Sequence, residues 1–444
     1  MKIPEKPPSV GDLKGKSYDR KLFENLANPE IRKIISEVNS NYLTWEEFKY
    51  KSIPKGLDHA LLWIFVKYTR DLYIRKFDLN NISFKFSDSF SSKIQQDLHD
   101  IDMDCGGILD RDLIVPKQNR ESYLLSSLME EAIASSQLEG AATSRKIAKE
   151  MLRTKRKPRN KDELMISNNY ATMNLIVNEL KGKELTLEMI KQIHTSMTKG
   201  TLENGVYEGS FRDNDLVRVW DKESGEVLHV PLRYSVLPTV MKEICDFANS
   251  AEPYIHPVVK ASILHFLIGY VHPFEDGNGR TARAIFYWYL LSKGYWLFEF
   301  LAISRIIKDA PSQYSRAYVC SEQDENDMTY FIKFQIDKIK LALRDLKEYV
   351  KRKAEEKTTA FDFVQIPGVN ERQAVILSMF LADPRKSTVI AELQDLFKVV
   401  YQTARNDLLE LEKMGFLKKK VLGKKMIFFR SDTFNILVPK SATD

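Results

Sequence analysis

The residues of this sequence with the clearest capacity for chemistry lie between Val271 and Arg283. This stretch reads VHPFEDGNGRTAR and brings together an imidazole, a carboxylate, a glycine-rich turn and two guanidinium groups. Apolar runs at 261–270 and 284–291 flank it, and both have the length and composition of buried helices. The spacing predicts a helix, a loop and a second helix that together handle phosphate.

The loop has the features of an anion-binding site. Gly277 and Gly279 allow positive backbone dihedrals, so that successive amides can point into one concavity. The second helix is expected to begin at about Asn278 or Gly279, so its unpaired N–H groups and positive dipole end face the same place. Arg280 and Arg283, one turn apart, add two cations on one side. We expect the loop to bind a polyphosphate.

Two further side chains give the loop a chemical role. His272, with an unperturbed pKa of about 6.5, can accept a proton from an attacking hydroxyl near neutral pH. Asp276 offers oxygen ligands to a hard divalent cation shared with phosphate, and we infer magnesium. Taken singly, these residues also fit a helix-end histidine, an ordinary turn and solvated arginines. Their spacing between two apolar helices favours the site.

The stretch resembles the signature of the Fic family, His-x-Phe-x-(Asp/Glu)-Gly-Asn-Gly-Arg-x-x-Arg. The resemblance implies transfer of AMP from ATP to a side-chain hydroxyl of a target protein, with release of pyrophosphate and with Mg²⁺ as cofactor. It implies that His272 is the catalytic base and that Asp276 holds the metal. The ATP-binding residues it implies are Gly277, Asn278, Gly279, Arg280, Thr281 and Arg283.

A second informative segment lies upstream, at the end of a helix predicted over 121–140. Glu139 precedes Gly140, which can terminate the helix, and a carboxylate there opposes the helix dipole and invites an outside cation. The segment is similar to the (Ser/Thr)-x-x-x-Glu-(Gly/Asn) inhibitory helix of Fic proteins through Ser135, Glu139 and Gly140. The resemblance implies that Glu139 pairs with Arg283 and blocks productive placement of the γ-phosphate.

Residues 217–220 and 227–230 alternate around a turn that contains Gly225, which predicts a β-hairpin. Such a hairpin can be a surface ornament. The resemblance implies instead a flap that aligns an extended segment of the target protein. Its target-positioning residues would be Val217, Val219, Val227 and Leu228.

The remaining segments predict the overall organisation. A helical pattern runs from Ser17 to Lys76, residues 82–86 alternate like a short strand, and Ser87 or Ser91 caps the helix that follows. A long helix over 328–352 ends in the charge run 351–357, which marks a boundary. Residues 153–161 form a basic, proline-broken link that is more typical of a solvated loop than of a nucleic-acid contact.

Beyond the boundary, three helices (371–381, 387–397 and 402–414) and a hairpin (416–429) resemble a winged helix. Residues 402–408 would occupy the recognition-helix position, and lysines cluster on or near the wing: Lys413, Lys418, Lys419, Lys420, Lys424 and Lys425. They could neutralise the phosphates of duplex DNA. Winged helices also dock proteins, so DNA binding and protein docking both stay open.

Composition sets the broad class. The 444 residues are 43% hydrophobic and 29% charged, and no apolar run reaches about 18 residues. The N-terminus lacks the apolar stretch of a signal peptide, so we expect a cytoplasmic protein without a membrane span. Cys105, Cys245 and Cys320 lie far apart, which favours reduced thiols over a zinc site. The net charge of +6 is too balanced to decide for nucleic acid.

We therefore predict a mainly α protein with an N-terminal helical region (1–115), a Fic-type core with inhibitory helix and flap (116–350) and a C-terminal winged-helix domain (358–444). Its predicted function is that of a self-inhibited protein adenylyltransferase that modifies a target protein or itself. Three alternatives stay open: a DNA-binding regulator whose Fic core senses nucleotide, a Fic enzyme with another donor, and one that removes AMP. A homodimer also stays open.

Overall fold

The computed structural model describes residues 3–9, 28–55, 57–89, 91–106, 117–221, 224–422 and 425–438. It is mainly helical, as predicted. The chain forms two compact units, of which the first ends at Arg344 and the second begins at Asp345. This division falls within the helix Thr329–Val364. The predicted separation of residues 1–115 from a core at 116–350 stays a prediction.

The first unit begins with helices and a hairpin. They are α1 (Pro29–Ser40), α2 (Trp45–Phe48), α3 (His59–Asp71), β1 (Arg75–Leu79), β2 (Ile82–Phe86) and α4 (Ser92–Cys105). The helical prediction was wrong at its end, because Arg75 and Lys76 belong to a strand whose Phe77 pairs and stacks with Phe84. Its start, 17–27, lies outside the described residues. Ser91 caps α4 by accepting from the N–H of Ile94, which confirms one of the two predicted caps.

The helices around the glycine-rich loop complete the first unit. In order they are α5 (Lys117–Leu138), α6 (Arg145–Thr154), α7 (Lys161–Leu175), α8 (Leu187–Thr198), β3 (Val219–Trp220), β4 (Val227–His229), α9 (Leu237–Asn249), α10 (Pro257–Val271), α11 (Asn278–Ser292), α12 (Ile303–Lys308), α13 (Pro311–Gln323) and α14 (Thr329–Val364). Helix α10 is apolar on every side and is buried, as expected for a central helix. It packs against α11. Strands β3 and β4 pair in antiparallel fashion, which confirms the predicted hairpin.

The charge run at 351–357 does not end the long helix. It continues α14, which extends to Val364, because it contains good helix formers such as Lys, Arg, Ala and Glu and neither Gly nor Pro. The predicted boundary at this run was therefore wrong as a helix end. Within the described part of the chain, no helix is both long and apolar enough to cross a membrane.

The second unit contains short strands and helices around one core. Its elements after α14 are α15 (Glu371–Ala382), β5 (Ser387–Val389), α16 (Ile390–Phe397), α17 (Tyr401–Lys413), β6 (Leu417–Leu422), β7 (Lys425–Arg430) and α18 (Phe434–Leu437). The strand order is β5-β7-β6. The prediction of one helix over 387–397 was wrong at its start, since Thr388 pairs with Phe428. Whether this unit is a winged helix stays a prediction.

Candidate active site

The glycine-rich loop joins α10 to α11 through two residues with left-handed backbone. His272 ends α10 with φ 50°, and Gly277 precedes α11 with φ 82°. A Cβ on Gly277 would lie 2.8 Å from Thr198 Cγ2 and 3.2 Å from His194 Nε2. Glycine is therefore required there by space as well as by dihedral. The second helix begins at Asn278, as the sequence predicted.

The side chain of Asn278 holds the loop closed. Its Oδ1 accepts from the N–H of Phe274 at 2.9 Å, and its Nδ2 donates to the carbonyl of Phe274 at 2.8 Å. These two bonds fix the path of the loop from Phe274 to the start of α11. Thr281, also among the predicted ATP-binding residues, is fully buried, and its N–H donates to the carbonyl of Gly277.

His272 faces a cleft, and its ring has one defined tautomer. Its Nδ1 lies 3.0 Å from the carbonyl oxygen of Gly269, so Nδ1 carries the proton and donates it. In the neutral ring the lone pair is then on Nε2. Burial lowers the pKa of His272 below its usual value, which keeps the ring neutral near pH 7. This is the state that a general base needs.

The cleft in front of His272 has a volume of about 430 Å³. The hairpin forms one wall, where His229 donates to the carbonyl oxygen of Tyr270 and contacts the Glu322 carboxylate. Val219 and Leu228 line the cleft, whereas Val217 and Val227 lie outside its lining. Side chains of α13 form another wall: Ser312, Tyr314, Ser315, Tyr318 and Val319.

Glu139 lies directly at the start of α11. Its Oε1 accepts from Nη2 of Arg283 at 2.7 Å. A Cβ on Gly279 would lie 2.2 Å from this same oxygen. The carboxylate therefore rests on a residue that has no side chain, at the positive end of the helix dipole.

Ser135, one turn earlier on α5, holds the other side of the Arg283 guanidinium. Its hydroxyl accepts from Nε at 2.8 Å, and its carbonyl oxygen accepts from Nη2 at 2.9 Å. The structure thus brings Ser135, Glu139 and Arg283 together over 144–148 residues of sequence separation. All three were singled out from the sequence.

Arg280 is directed elsewhere. Its guanidinium is buried, Nη1 donates to the carbonyl of Met197 on α8 at 3.3 Å, and Nη2 lies 3.6 Å from Asp276. Arg280 and Arg283 therefore lie one turn apart on the helix, as expected. Their side chains do not contact the same groups, because Arg280 contacts Met197 and Arg283 contacts Glu139. Among the described residues, Nε and Nη2 of Arg280 have no hydrogen-bond partner. Buried guanidinium N–H groups of this kind suit a phosphate oxygen.

Asp276 can contribute to a magnesium site but cannot form one alone. Its carboxylate is exposed, and Oδ1 accepts from the N–H of Gly277 at 2.5 Å. Within the described ranges, no group of three or more His, Cys, Asp or Glu side chains could hold a metal ion. A single exposed carboxylate fits Mg²⁺ that is otherwise bound by water and substrate phosphates.

Two residues that the sequence did not single out for function hold the loop in place. His194 stacks on Phe274 with ring centroids 3.7 Å apart, donates from Nε2 to the Asp276 carbonyl and accepts on Nδ1 from the N–H of Gly209. Burial lowers the pKa of His194 to about 4, so the ring is neutral. Arg212 is buried, and its Nε donates to the carbonyl of His272 at 3.0 Å.

Part of the chain is similar to known proteins. Residues 184–290 match the Fic/DOC family. Protein adenylyltransferase Fic of Nematostella vectensis is 33% identical over 118 residues, which are 26% of this chain and 25% of that protein. The protein of the same name from Aedes aegypti is 37% identical over 68 residues, 15% of this chain and 14% of that protein.

A solved structure supports the fold. Fic-1 from C. elegans superposes with a TM-score of 0.50 over 77% of this chain and 91% of that chain, at 16% identity. A helical core with the glycine-rich loop between two buried helices defines a Fic-type fold. This chain contains a Fic domain of the Fic/DOC family, at residues 184–290. The aligned regions span about a quarter or less of the curated relatives' length.

Proposed function

We propose that this chain is a self-inhibited protein adenylyltransferase that transfers AMP from ATP to a Ser, Thr or Tyr hydroxyl of a target protein or of itself. The observation that carries the proposal is the position of Glu139. Its carboxylate lies on Gly279 and pairs with Arg283, in the same cleft as His272. The space above Gly279, which can hold an anion, is called the seat below. Together with the Arg283 cation and the neutral His272 imidazole it supplies the groups that phosphoryl-type transfer requires.

The proposed reaction uses these groups as follows. Nε2 of His272 takes the proton of the target hydroxyl while the hydroxyl oxygen attacks the α-phosphorus of ATP. A bond from oxygen to phosphorus forms, the bond to the bridging oxygen breaks, and pyrophosphate leaves. Arg283, Arg280 and the backbone N–H groups at the start of α11 stabilise the charge on the phosphates. A magnesium ion bound by Asp276 and the phosphates would neutralise part of that charge.

Self-inhibition follows because Glu139 occupies this seat. A carboxylate and a phosphate group cannot both occupy the space above Gly279, because the Glu139 oxygen already lies within 2.2 Å of where a Cβ would be. While Glu139 is in place, Nη2 of Arg283 also donates hydrogen bonds to the carboxylate and to the carbonyl oxygen of Ser135. The γ-phosphate is then held away from its productive position.

The test compares incorporation of AMP from α-labelled ATP into the protein itself and into a cell lysate. Glu139→Gly is expected to raise incorporation at least ten-fold over the unaltered chain, because it frees the seat and Arg283. Glu121→Gly, which places the same substitution at an exposed position of α5, is the matched control and should leave incorporation unchanged. Adding His272→Ala to Glu139→Gly should abolish incorporation.

The remaining donors are tested in the same assay. If Glu139→Gly is no more active than the unaltered chain with ATP, UTP and CDP-choline, self-inhibition by Glu139 is refuted. Labelling with UTP or CDP-choline but not with ATP would keep the site and change the donor. Loss of AMP from a modified protein would point to removal instead of transfer.

A second candidate function, DNA binding, belongs to the second unit. The observation that favours it is that two of the three acidic residues of α17 are in ion pairs. Asp407 is buried against Arg372 at 2.8 Å, and Glu412 pairs with Lys419 at 2.9 Å. Gln402 and Asn406 on the same helix are exposed. Pairing of this kind lowers the negative field on α17 that would repel phosphates.

A further inference from the structure

The positive charge of this chain is concentrated in one segment, residues 145–161. This basic segment contains nine Lys and Arg residues and one acidic residue, Glu150, so that its net charge of +8 exceeds the +6 of the whole chain. It comprises α6 and the loop to the first residue of α7. The sequence alone favoured a solvated loop for most of this region. The structure gives reasons to revise that interpretation.

The segment has one buried side and one exposed side. The buried side consists of Ala148, Met151 and Leu152, which pack with residues of α5 and α7 in a small apolar core. The outward side is polar and carries the cations. This arrangement fixes α6 on the molecule and leaves its charged face to solvent. The loop that follows is held by Glu163, whose carboxylate accepts from the guanidinium of Arg156 and from the N–H of Arg159.

Only part of the charge is compensated. Glu130 pairs with Arg145 and Lys149, and Glu163 pairs with Arg156. The other basic side chains of the segment are exposed and make no ion pair with any described residue: Lys146, Arg153, Lys155, Lys157, Arg159 and Lys161. Six cations without an ion pair within 16 consecutive positions create a local positive potential, which Glu163 weakens at Arg159.

The composition of the segment selects the class of partner. It contains no Phe, Trp or Tyr, so unpaired bases have no ring on which to stack. Its one large exposed apolar side chain is Ile147, which offers little to a membrane or to the apolar anchor of a protein partner. What remains is a row of charges, of which α6 alone presents about 15 Å.

We infer that the basic segment binds the phosphate backbone of double-stranded DNA, without sequence preference. A duplex carries one negative charge per about 1.7 Å of axis, so a rigid row of cations can neutralise several phosphates at once. Arg153, Lys155, Lys157 and Arg159 are the expected contacts, because they lie next to one another at the end of α6 and in the loop. Contacts to phosphate position a protein on DNA but do not read its sequence.

The experiment measures binding of the full chain to a fluorescent 20-base-pair duplex of random sequence, by anisotropy between 50 and 200 mM KCl. The triple variant Lys155→Gln, Lys157→Gln, Arg159→Gln is expected to raise Kd at least ten-fold at 50 mM salt. It should also reduce the slope of log affinity against log salt by about 2.7, the value for three lost phosphate contacts.

Two control variants remove the same charge elsewhere. Lys33→Gln, Lys183→Gln, Lys308→Gln alters exposed lysines distributed over the first unit and should leave Kd within two-fold. Lys418→Gln, Lys419→Gln, Lys420→Gln neutralises β6 of the second unit and separates its contribution to binding. Circular dichroism of each variant verifies that the helical content is unchanged.

Three outcomes would overturn the inference. The first is that the unaltered chain does not bind the duplex at 50 mM salt. The second is that the triple variant at 155, 157 and 159 binds like the distributed control. The third is that vesicles containing 30% phosphatidylserine, or poly-glutamate, bind in a manner that depends on these three residues while the duplex does not.

Discussion

His272 combines the two properties that a proton acceptor needs at this position. Its Nδ1 proton is fixed by the Gly269 carbonyl, and burial lowers the pKa of the ring. Glu139 is one of the groups that act in the opposite direction, since its negative charge raises the pKa of His272. Removing Glu139 should therefore lower the pKa of His272 further.

The first residue-scale prediction concerns this pKa. In ¹³C-histidine-labelled protein, the NMR signal that disappears in His272→Gln should titrate with a midpoint below 6.5, and lower still in Glu139→Gly. Because the neutral ring is the base, AMP transfer should be constant above the midpoint and fall as pH decreases through it. A midpoint at or above 6.5 in both proteins would contradict the assignment.

The sequence predicted the residues of the glycine-rich loop because they are consecutive. It did not identify His194 or Arg212 as functional, because they reach the loop from 82 and 60 residues away. A lone histidine in an amphipathic helix gives no signal of its own.

At the scale of elements, α8 connects the glycine-rich loop to the chain that leads into the hairpin. His194 is the connecting residue, since it bonds to Asp276 on one side and to Gly209 on the other. His194→Ala in the Glu139→Gly background should reduce AMP transfer at least ten-fold. It should also lower the free energy of unfolding by about 2–4 kcal/mol, for a cavity and an unpaired N–H.

Two comparisons separate this positioning role from general loss of structure. His194→Asn keeps a side-chain oxygen near the N–H of Gly209 and should recover part of the activity. His99→Ala removes an exposed histidine and should change neither quantity. Equal activity of His194→Ala and its Glu139→Gly parent would exclude the role.

Elements with strong local signals were predicted well. Ser91 caps α4 by accepting from the N–H of Ile94, as its position before the predicted helix indicated. Strands β1 and β5 were mistaken for parts of helices because both are short. The partner of β1 follows directly after a turn, and the partner of β5 is distant in the sequence. The charge run in α14 was taken as a helix end and a domain boundary, because charge alone does not distinguish a loop from a solvated helix.

At the scale of the whole molecule, the N-terminal helices and the helices of the Fic domain region belong to one unit. A buried polar network joins them. Arg70 of α3 donates to the hydroxyl of Tyr330 at 2.8 Å and lies 3.9 Å from the ring centroid of Tyr42. Tyr42 donates to Asp327 at 2.6 Å. No sequence pattern pairs residues about 260–285 positions apart, so this connection could not be predicted.

This network gives a stability prediction. Arg70→Ala removes a buried cation and leaves Asp327, which is fully buried, with less compensation. The free energy of unfolding should fall by about 3–5 kcal/mol. Urea denaturation followed by tryptophan fluorescence can measure it, since all five tryptophans precede residue 345. Arg233→Ala, at an exposed arginine, should change it by less than about 0.5 kcal/mol; a similar loss there would contradict the argument.

The missing side chain of Gly279 has a thermodynamic consequence. Under the proposed function, a single seat accepts either the resting carboxylate or the triphosphate, so each lowers the apparent affinity of the other by the same factor. Any partner that draws Glu139 away must tighten nucleotide binding. Abundant nucleotide must in turn make that partner bind more readily. The space above Gly279 therefore couples the binding of nucleotide to the binding of that partner.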